Sequence, residues 1–356
     1  MTKRKILFLG ESYRADAITW INGLKEFGGF EIICWELKTP STTFLNRIKR
    51  IAEFKLAYFK IKKIIESEKP DMVIAERTTS YGFLAALIDI KPSAIAQQGI
   101  TDLWPSHSIL LPLKKTIQNY AFKKATLIHA WGPAMTISMA EANVDMSKVL
   151  VLPKGINLSK FCNINTADPT KIHAIVTRSL LPEYRHDIVL KAFGILNQSG
   201  IDFVLTIIGD GKQGLYLKQL AKKLKIDHKV VFTGRILNSK LPEFLQNANF
   251  YISMPTTEGV SASLFEAMAC LAYPIVTDIA GNQSWIKHRE NGQLVTVDDY
   301  TMLAQEIIWA YSNRAAREKA IQNNRLFIEN NANYQTNMNT IAQKYHELIN
   351  AHRLQQ

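Results

Sequence analysis

Short apolar runs alternate with longer helical stretches along the chain, and the pattern restarts once near residue 150. In the first half, Lys5–Gly10, Glu31–Leu37, Met72–Glu76, Ser93–Gln97 and Leu127–Trp131 read as strands. Helices are expected from about Asp16 to Phe27, from Phe44 to Lys63, and over Leu111–Lys123 and Ala134–Ala142. Val149–Leu152 runs into the turn Pro153-Lys154-Gly155-Ile156, where a second series opens. Its strands are His173–Thr177, Phe203–Ile208, Lys229–Phe232, Asn249–Met254, Tyr273–Thr277 and Gly292–Val295. Parallel strands need crossover connections, which intervening helices supply, so both series predict parallel sheets flanked by helices. The expected fold class is therefore α/β, with two Rossmann-like doubly wound domains facing across a cleft, residues 1–153 and 154–334. Ala332–Leu354 reads as helical.

A chain of 356 residues with 47% hydrophobic and 21% charged residues suits two soluble cores. Its three cysteines, Cys34, Cys162 and Cys270, lie far apart without metal-ligand spacing or a disulfide framework, which fits a reducing, cytoplasmic compartment. Met-Thr-Lys-Arg-Lys leads straight into the first strand without the apolar core of a signal peptide. No apolar run approaches the roughly 18 residues of a membrane span.

The net charge of +12 is uneven: residues 1–155 hold 22 Lys+Arg against 14 Asp+Glu. Much of that excess falls between Phe44 and Lys63, where Arg47, Lys49, Arg50, Lys55, Lys60, Lys62 and Lys63 face only Glu53. Phe44, Ile48, Ile51, Phe54, Tyr58, Ile61 and Ile65 recur at helical spacing, giving an amphipathic helix over residues 44–65. Two readings stay open: a core-packed helix with a solvated face, or a helix that lies on the anionic cytoplasmic face of the inner membrane. Nucleic acid is not expected as a partner, since no motif interleaves aromatic and basic residues on a sheet.

The chemistry concentrates in Pro255–Ala269, PTTEGVSASLFEAMA. Phe250–Met254 is a buried strand, Pro255–Val260 the loop at its carboxyl end, and Ser261–Ala269 a helix, which is where open α/β sheets bind ligands. Backbone N–H groups from Gly259 to Leu264, among them those of Val260 and Ser263, are expected to face an anion. Glu258 and Glu266, eight positions apart, then place one carboxylate on the loop and one two turns into the helix, within reach of a ribose diol.

This arrangement closely resembles the E-x7-E signature of family-4 retaining glycosyltransferases of GT-B fold, glycosyl transferases group 1. Pro274-Ile275-Val276 and Ala280-Gly281-Asn282 follow in the family's order. The resemblance is strongest from about Val149 to Asp299 and pattern-level before that. It implies that Glu258 contacts the donor sugar and Glu266 the nucleotide ribose. Arg178 matches the family's arginine for the donor diphosphate. The family's lysine has no direct counterpart in Glu183-Tyr184-Arg185, where either Arg185 or Tyr184 stands in its place. Gly209 would flank the nucleotide, and the backbone near Arg235 and Ile236 would border the base. On the N-terminal side Gly10 follows the first strand and Asp102 could bind an acceptor hydroxyl or the donor sugar, while Gln98 stands near the family's histidine. His129 reads as a packing residue. Leu271 and Ser284 depart from a usual Gly and Glu.

The resemblance further implies an N-terminal acceptor domain, to which a last helix at about 335–356 returns, and a C-terminal nucleotide-sugar domain. Without an Asp-x-Asp pair, no metal and no cofactor are expected. The expected activity is transfer of a sugar from a UDP- or GDP-linked donor to a hydroxyl of a lipid-linked or growing surface polysaccharide or lipopolysaccharide. A sugar-nucleotide epimerase and a non-catalytic membrane or partner-binding protein of the same architecture remain alternatives.

Overall fold

The structure is a computed structural model describing residues 3–39, 44–103, 108–162, 164–168 and 170–355, the side chains of residues 44, 45, 47, 48 and 51 aside. The expected roles of Phe44, Arg47, Ile48 and Ile51 on the basic helix thus lie outside the described residues. Two compact units form, one from Met1–Lys154 with Tyr334–Gln356, the other from Gly155–Asn333.

The first unit runs β1 (Lys5–Leu9), α1 (Ala15–Gly28), β2 (Glu31–Trp35), α2 (Phe44–Glu68), β3 (Met72–Glu76), α3 (Gly82–Ile88), β4 (Ser93–Ala96), α4 (Leu111–Lys124), β5 (Leu127–Ala130), α5 (Ala134–Glu141) and β6 (Val149–Val151). Its six parallel strands are ordered β2-β1-β3-β4-β5-β6. Every residue of β3, β4 and β5 is buried, as expected of parallel strands covered on both faces. The sequence reading had not separated α3, which follows a single wide turn at Arg77–Tyr81. On α2, Ala57 and Ile61 are fully buried, whereas Lys55, Leu56, Phe59, Lys60, Lys62 and Lys63 are exposed.

The second unit runs β7 (Ile172–Thr177), α6 (His186–Gln198), β8 (Phe203–Ile208), α7 (Gly214–Lys223), β9 (Val230–Gly234), α8 (Leu241–Gln246), β10 (Phe250–Ser253), α9 (Ala262–Ala269), β11 (Tyr273–Thr277), α10 (Ala280–Gln283), β12 (Gln293–Val295), α11 (Tyr300–Ser312) and α12 (Arg314–Asn331). Its strand order is β12-β11-β10-β7-β8-β9. One core cluster, including Phe193, Leu205 and Phe250, and another, including Tyr251, Phe265 and Met268, sandwich this sheet. A last helix, α13 (Tyr334–Gln355), packs against α1 in the first unit. Gly23 admits it, since a Cβ there would stand 2.5 Å from Met338.

In the second sheet the chain builds outward from β7 through β8 to β9, then returns to place β10 on the other side of β7. The loops leaving β7 and β10 therefore diverge at the point where strand order reverses, where open α/β sheets form a crevice. In the first sheet β1 and β3 hold the equivalent position.

Candidate active site

Both loops at the second unit's switch point carry charge. Arg178, directly after β7, forms an ion pair with Glu258, which follows β10, and donates to the Ser261 hydroxyl at 2.5 Å. Ser261 is also the N-cap of α9, its hydroxyl accepting from the Leu264 N–H at 3.2 Å. One hydroxyl thus starts the helix and holds the guanidinium. Arg178 Nε is buried without a hydrogen-bond partner, and the guanidinium lies over the Tyr184 ring at 5.4 Å. Glu266, on α9, is half-buried; its carboxylate makes no hydrogen bond among the described residues.

Backbone packing fixes this cluster. The Thr256 N–H donates to the Glu183 carbonyl at 2.9 Å, joining the loop after β10 to the turn holding Tyr184. Thr277 Oγ1 donates to the Pro255 carbonyl at 2.7 Å. Gly209 has φ +141°, and a Cβ there would stand 2.2 Å from the Arg178 carbonyl oxygen. At Gly281, in α10, a Cβ would meet the Glu258 carbonyl oxygen at 2.0 Å. These glycines let neighbouring loops press on the backbone of Arg178 and Glu258 themselves.

The electrostatics follow from burial. Burial raises the Glu258 carboxyl against the opposing pull of Arg178 and of the Gly259 N–H. Burial also pushes Glu266 up to about 7, with Arg178 opposing. For Arg178, burial disfavours the charge, yet the surrounding Tyr251, Glu258, Tyr184 and Glu266 hold its pKa above the usual value. The result is a buried cation paired with one raised carboxyl group, Glu258, and within the field of a second, Glu266.

Several expected residues behave differently from the sequence reading. The Gly259–Leu264 amides do not all face outward: Leu264 N–H serves the Ser261 cap and Gly259 N–H the Glu258 carboxylate. Val260 and Ser263 are half-buried and Leu264 is buried in the core beneath α9. Arg185, in the left-handed region at φ 49°, pairs with Asp187 at 3.3 Å and Asp298 at 3.1 Å. Of the two candidates for the lysine position, Tyr184 is the one that touches Arg178. Arg235 is exposed, whereas Ile236 packs on the second unit's core. Leu271, at the departure from glycine, has φ 62°.

In the first unit, the Gly10 N–H donates to the Trp35 carbonyl at 3.1 Å, and a Cβ on Gly10 would stand 2.8 Å from the Glu76 carboxylate. Asp102 accepts from Thr78 N–H at 2.7 Å, the Thr78 hydroxyl at 2.9 Å and Gln98 N–H at 3.1 Å. Both of its oxygens thus staple two loops of that unit together. His129 is fully buried, stacks on Trp131 and meets the Tyr345 hydroxyl at 2.6 Å. Burial takes its pKa down to about 3, with Lys154 adding to the effect, so the ring is neutral. Sequence reasoning missed Ser261, although a serine before ASLFEAMA is an N-cap signal. It also gave Tyr184 and Gly281 no contacts, which depend on segments distant in the chain. Among the described residues no group of three or more His, Cys, Asp or Glu could hold a metal ion.

The sequence profile "Glycosyl transferases group 1" matches residues 160–327, spanning this cluster, and "Glycosyl transferase 4-like" matches residues 5–130. The chain belongs to the group 1 glycosyltransferases, with the GT-B fold. Among relatives of this glycosyltransferase family member, N-acetyl-alpha-D-glucosaminyl L-malate synthase of Bacillus anthracis is 32% identical over 30% of this chain and 28% of its own length. The UDP-Gal:alpha-D-GlcNAc-diphosphoundecaprenol alpha-1,3-galactosyltransferase of Escherichia coli is 24% identical over 72% of this chain and 70% of its own. The match thus spans little more than a quarter of the Bacillus enzyme. Anabaena HepE, solved in complex with UDP, superposes with a TM-score of 0.77 at 16% identity, covering 98% of this chain and 100% of its own, a likeness of fold.

Proposed function

We propose that the chain is a retaining, metal-independent glycosyltransferase that moves a sugar from a UDP- or GDP-linked donor to a hydroxyl of a lipid-linked or growing surface polysaccharide or lipopolysaccharide. The observation that carries this reading is Arg178 held between Glu258 and Ser261 at the switch point, with Glu266 on the adjoining helix. The family membership and the relatives named for UDP and for a diphosphoundecaprenol acceptor support it.

In this reading the second unit takes the donor. Arg178, whose buried Nε has no protein partner, binds the diphosphate and offsets the charge that develops as it leaves. Tyr184 supports the guanidinium where the family carries a second cation, while Arg185 stays with Asp187 and Asp298. Glu258 orients the sugar ring, and Glu266, once ionised, accepts from the ribose hydroxyls. The backbone near Gly209, Arg235 and Ile236 borders the nucleotide. A second guanidinium or a metal is not required if Arg178 and the amides at the start of α9 meet the phosphate charge. The acceptor hydroxyl attacks the anomeric carbon from the face the diphosphate leaves, and a phosphate oxygen takes its proton. The first unit, with Gly10 and the α13 helix, receives the acceptor, and Asp102 holds its loops. The cationic outer face of α2 rests on an anionic membrane surface at the cytoplasmic side.

A thermal-shift screen of UDP, GDP and their sugars, with Mg2+ or EDTA, tests the donor site. One base family should raise the melting temperature equally in both conditions, and Glu266→Ala should abolish the rise. No shift with any nucleotide would overturn the donor site. Release of nucleoside diphosphate only when an acceptor is added would exclude epimerisation.

A further inference from the structure

The helical layer of the first unit exposes an apolar feature that the donor chemistry does not use. Ile109 is 97% exposed, Leu110 57% and Leu113 56%, at the turn and first residues of α4. The turn is built, since Leu111 N–H donates to the Ser108 carbonyl at 2.9 Å and Leu110 N–H to the Ser108 hydroxyl at 3.2 Å. Three neighbouring exposed aliphatic side chains on an ordered turn mark a surface that something apolar covers.

Charge identifies what covers it. No acidic residue occurs in α4, whose Lys115 and Lys123 are exposed. α2 belongs to the same layer: Phe54 stacks on Phe83 of α3 at 6.2 Å, and Phe83 meets Tyr120 of α4 at 5.9 Å. The outer face of α2 presents Lys55, Lys60, Lys62 and Lys63 around Leu56 and Phe59. Of the three acids on that helix, Glu53 is held by the Lys38 and Thr39 amides and Glu68 by Lys5, which leaves Glu66 exposed against the four exposed lysines. Aliphatic groups ringed by lysines match a bilayer with anionic headgroups and a hydrocarbon interior.

We infer that Ile109, Leu110 and Leu113 form a wedge that enters the hydrocarbon of an anionic bilayer while the α2 lysines stay among the headgroups. This rests on the membrane reading of α2 given above and adds a penetrating element on a different helix. A lysine-only contact would adhere to headgroups and be screened by salt. A wedge leaves a component that salt does not remove.

The test uses the full chain with phosphatidylcholine vesicles, with and without phosphatidylglycerol. Replacing Ile109, Leu110 and Leu113 by Ser should weaken sedimentation with anionic vesicles roughly a hundredfold and abolish the fraction that survives high salt. A bimane on Ile109→Cys, in a Cys34→Ser background, should shift its emission to the blue and be quenched by brominated acyl chains. Sedimentation of wild type with an unshifted, unquenched bimane would overturn the wedge and leave the α2 reading standing. No sedimentation of wild type with anionic vesicles would overturn both.

Discussion

Substituting Gly281→Ala adds one methyl group in a place the structure leaves no room for. The new Cβ would lie 2.0 Å from the Glu258 carbonyl oxygen, 2.8 Å from its carbonyl carbon and 3.0 Å from the Gly259 oxygen. All three are backbone atoms, so no side chain can rotate away. Reaching even 3.0 Å from the first requires about 1 Å of movement of α10 or of the Glu258 loop. Overpacking of this kind costs about 1–3 kcal/mol of stability. A displacement of about 1 Å at reacting groups costs on the order of a hundredfold in rate. Gly214→Ala is the control, because its Cβ would meet only Leu180 Cδ1, at 3.5 Å. Calorimetry and isothermal titration of the nucleotide on both variants would read stability and affinity separately, with turnover measured once an acceptor is known. Gly281→Ala should melt lower and bind more weakly, with Gly214→Ala close to wild type. Wild-type stability and affinity in Gly281→Ala would refute the tight approach between α10 and the Glu258 loop.

Further outcomes follow from the same site. Glu266, raised from 4.5 to about 7 by burial, keeps its proton in the folded chain over a range in which the unfolded chain has lost it. Stability should therefore fall as pH rises from about 4.5 to 7, by at most about 3 kcal/mol. Glu266→Gln should flatten that slope in denaturant titrations and also remove the tightening of nucleotide binding expected between pH 6 and 8; a parallel slope would show that Glu266 does not titrate there. Ser261→Ala loses both a helix cap and an Arg178 contact, so it should cost about 1–2 kcal/mol in urea unfolding and weaken diphosphate binding. Arg178→Ala should lower turnover by about two to three orders of magnitude, against a few-fold for Arg185→Ala, measured as diphosphate release; equal losses would return Arg185 to the site. Leu271→Gly relieves a left-handed backbone and should raise stability by about 1 kcal/mol in the same unfolding assay.

The double series of strands was legible because apolar runs separated by helical spacing admit few arrangements, and both six-stranded parallel sheets follow from it. Glu258 and Glu266 were legible for a related reason: a loop and helix leaving one buried strand fix their separation within a single local segment. Contacts between distant segments were not. Nothing in Glu183-Tyr184-Arg185 says that the tyrosine, and not the arginine, turns to Arg178. That outcome depends on Asp298, over a hundred residues away, which holds the Arg185 guanidinium. Asp102 shows the converse, since a carboxylate in a glycine-containing loop looks free until Thr78 is brought beneath it. Leu271 marks a third case, a left-handed position where the side chain gives no warning of the backbone it must adopt.

Because α13 belongs to the first unit, that unit is assembled from both ends of the chain while the second is continuous. During synthesis the order of completion is then reversed. Residues 155–333 are all available before the helix that fills out the N-terminal unit has been translated, and His129 and Trp20 wait with an uncovered surface for Tyr345. A nascent chain stalled before residue 334 should thus present a finished second unit tethered to an unfinished first one, and the first is the unit from which chaperones would have most to gain. Deleting Tyr334–Gln356 should for the same reason injure the first unit and spare the second, which adjoins the cut.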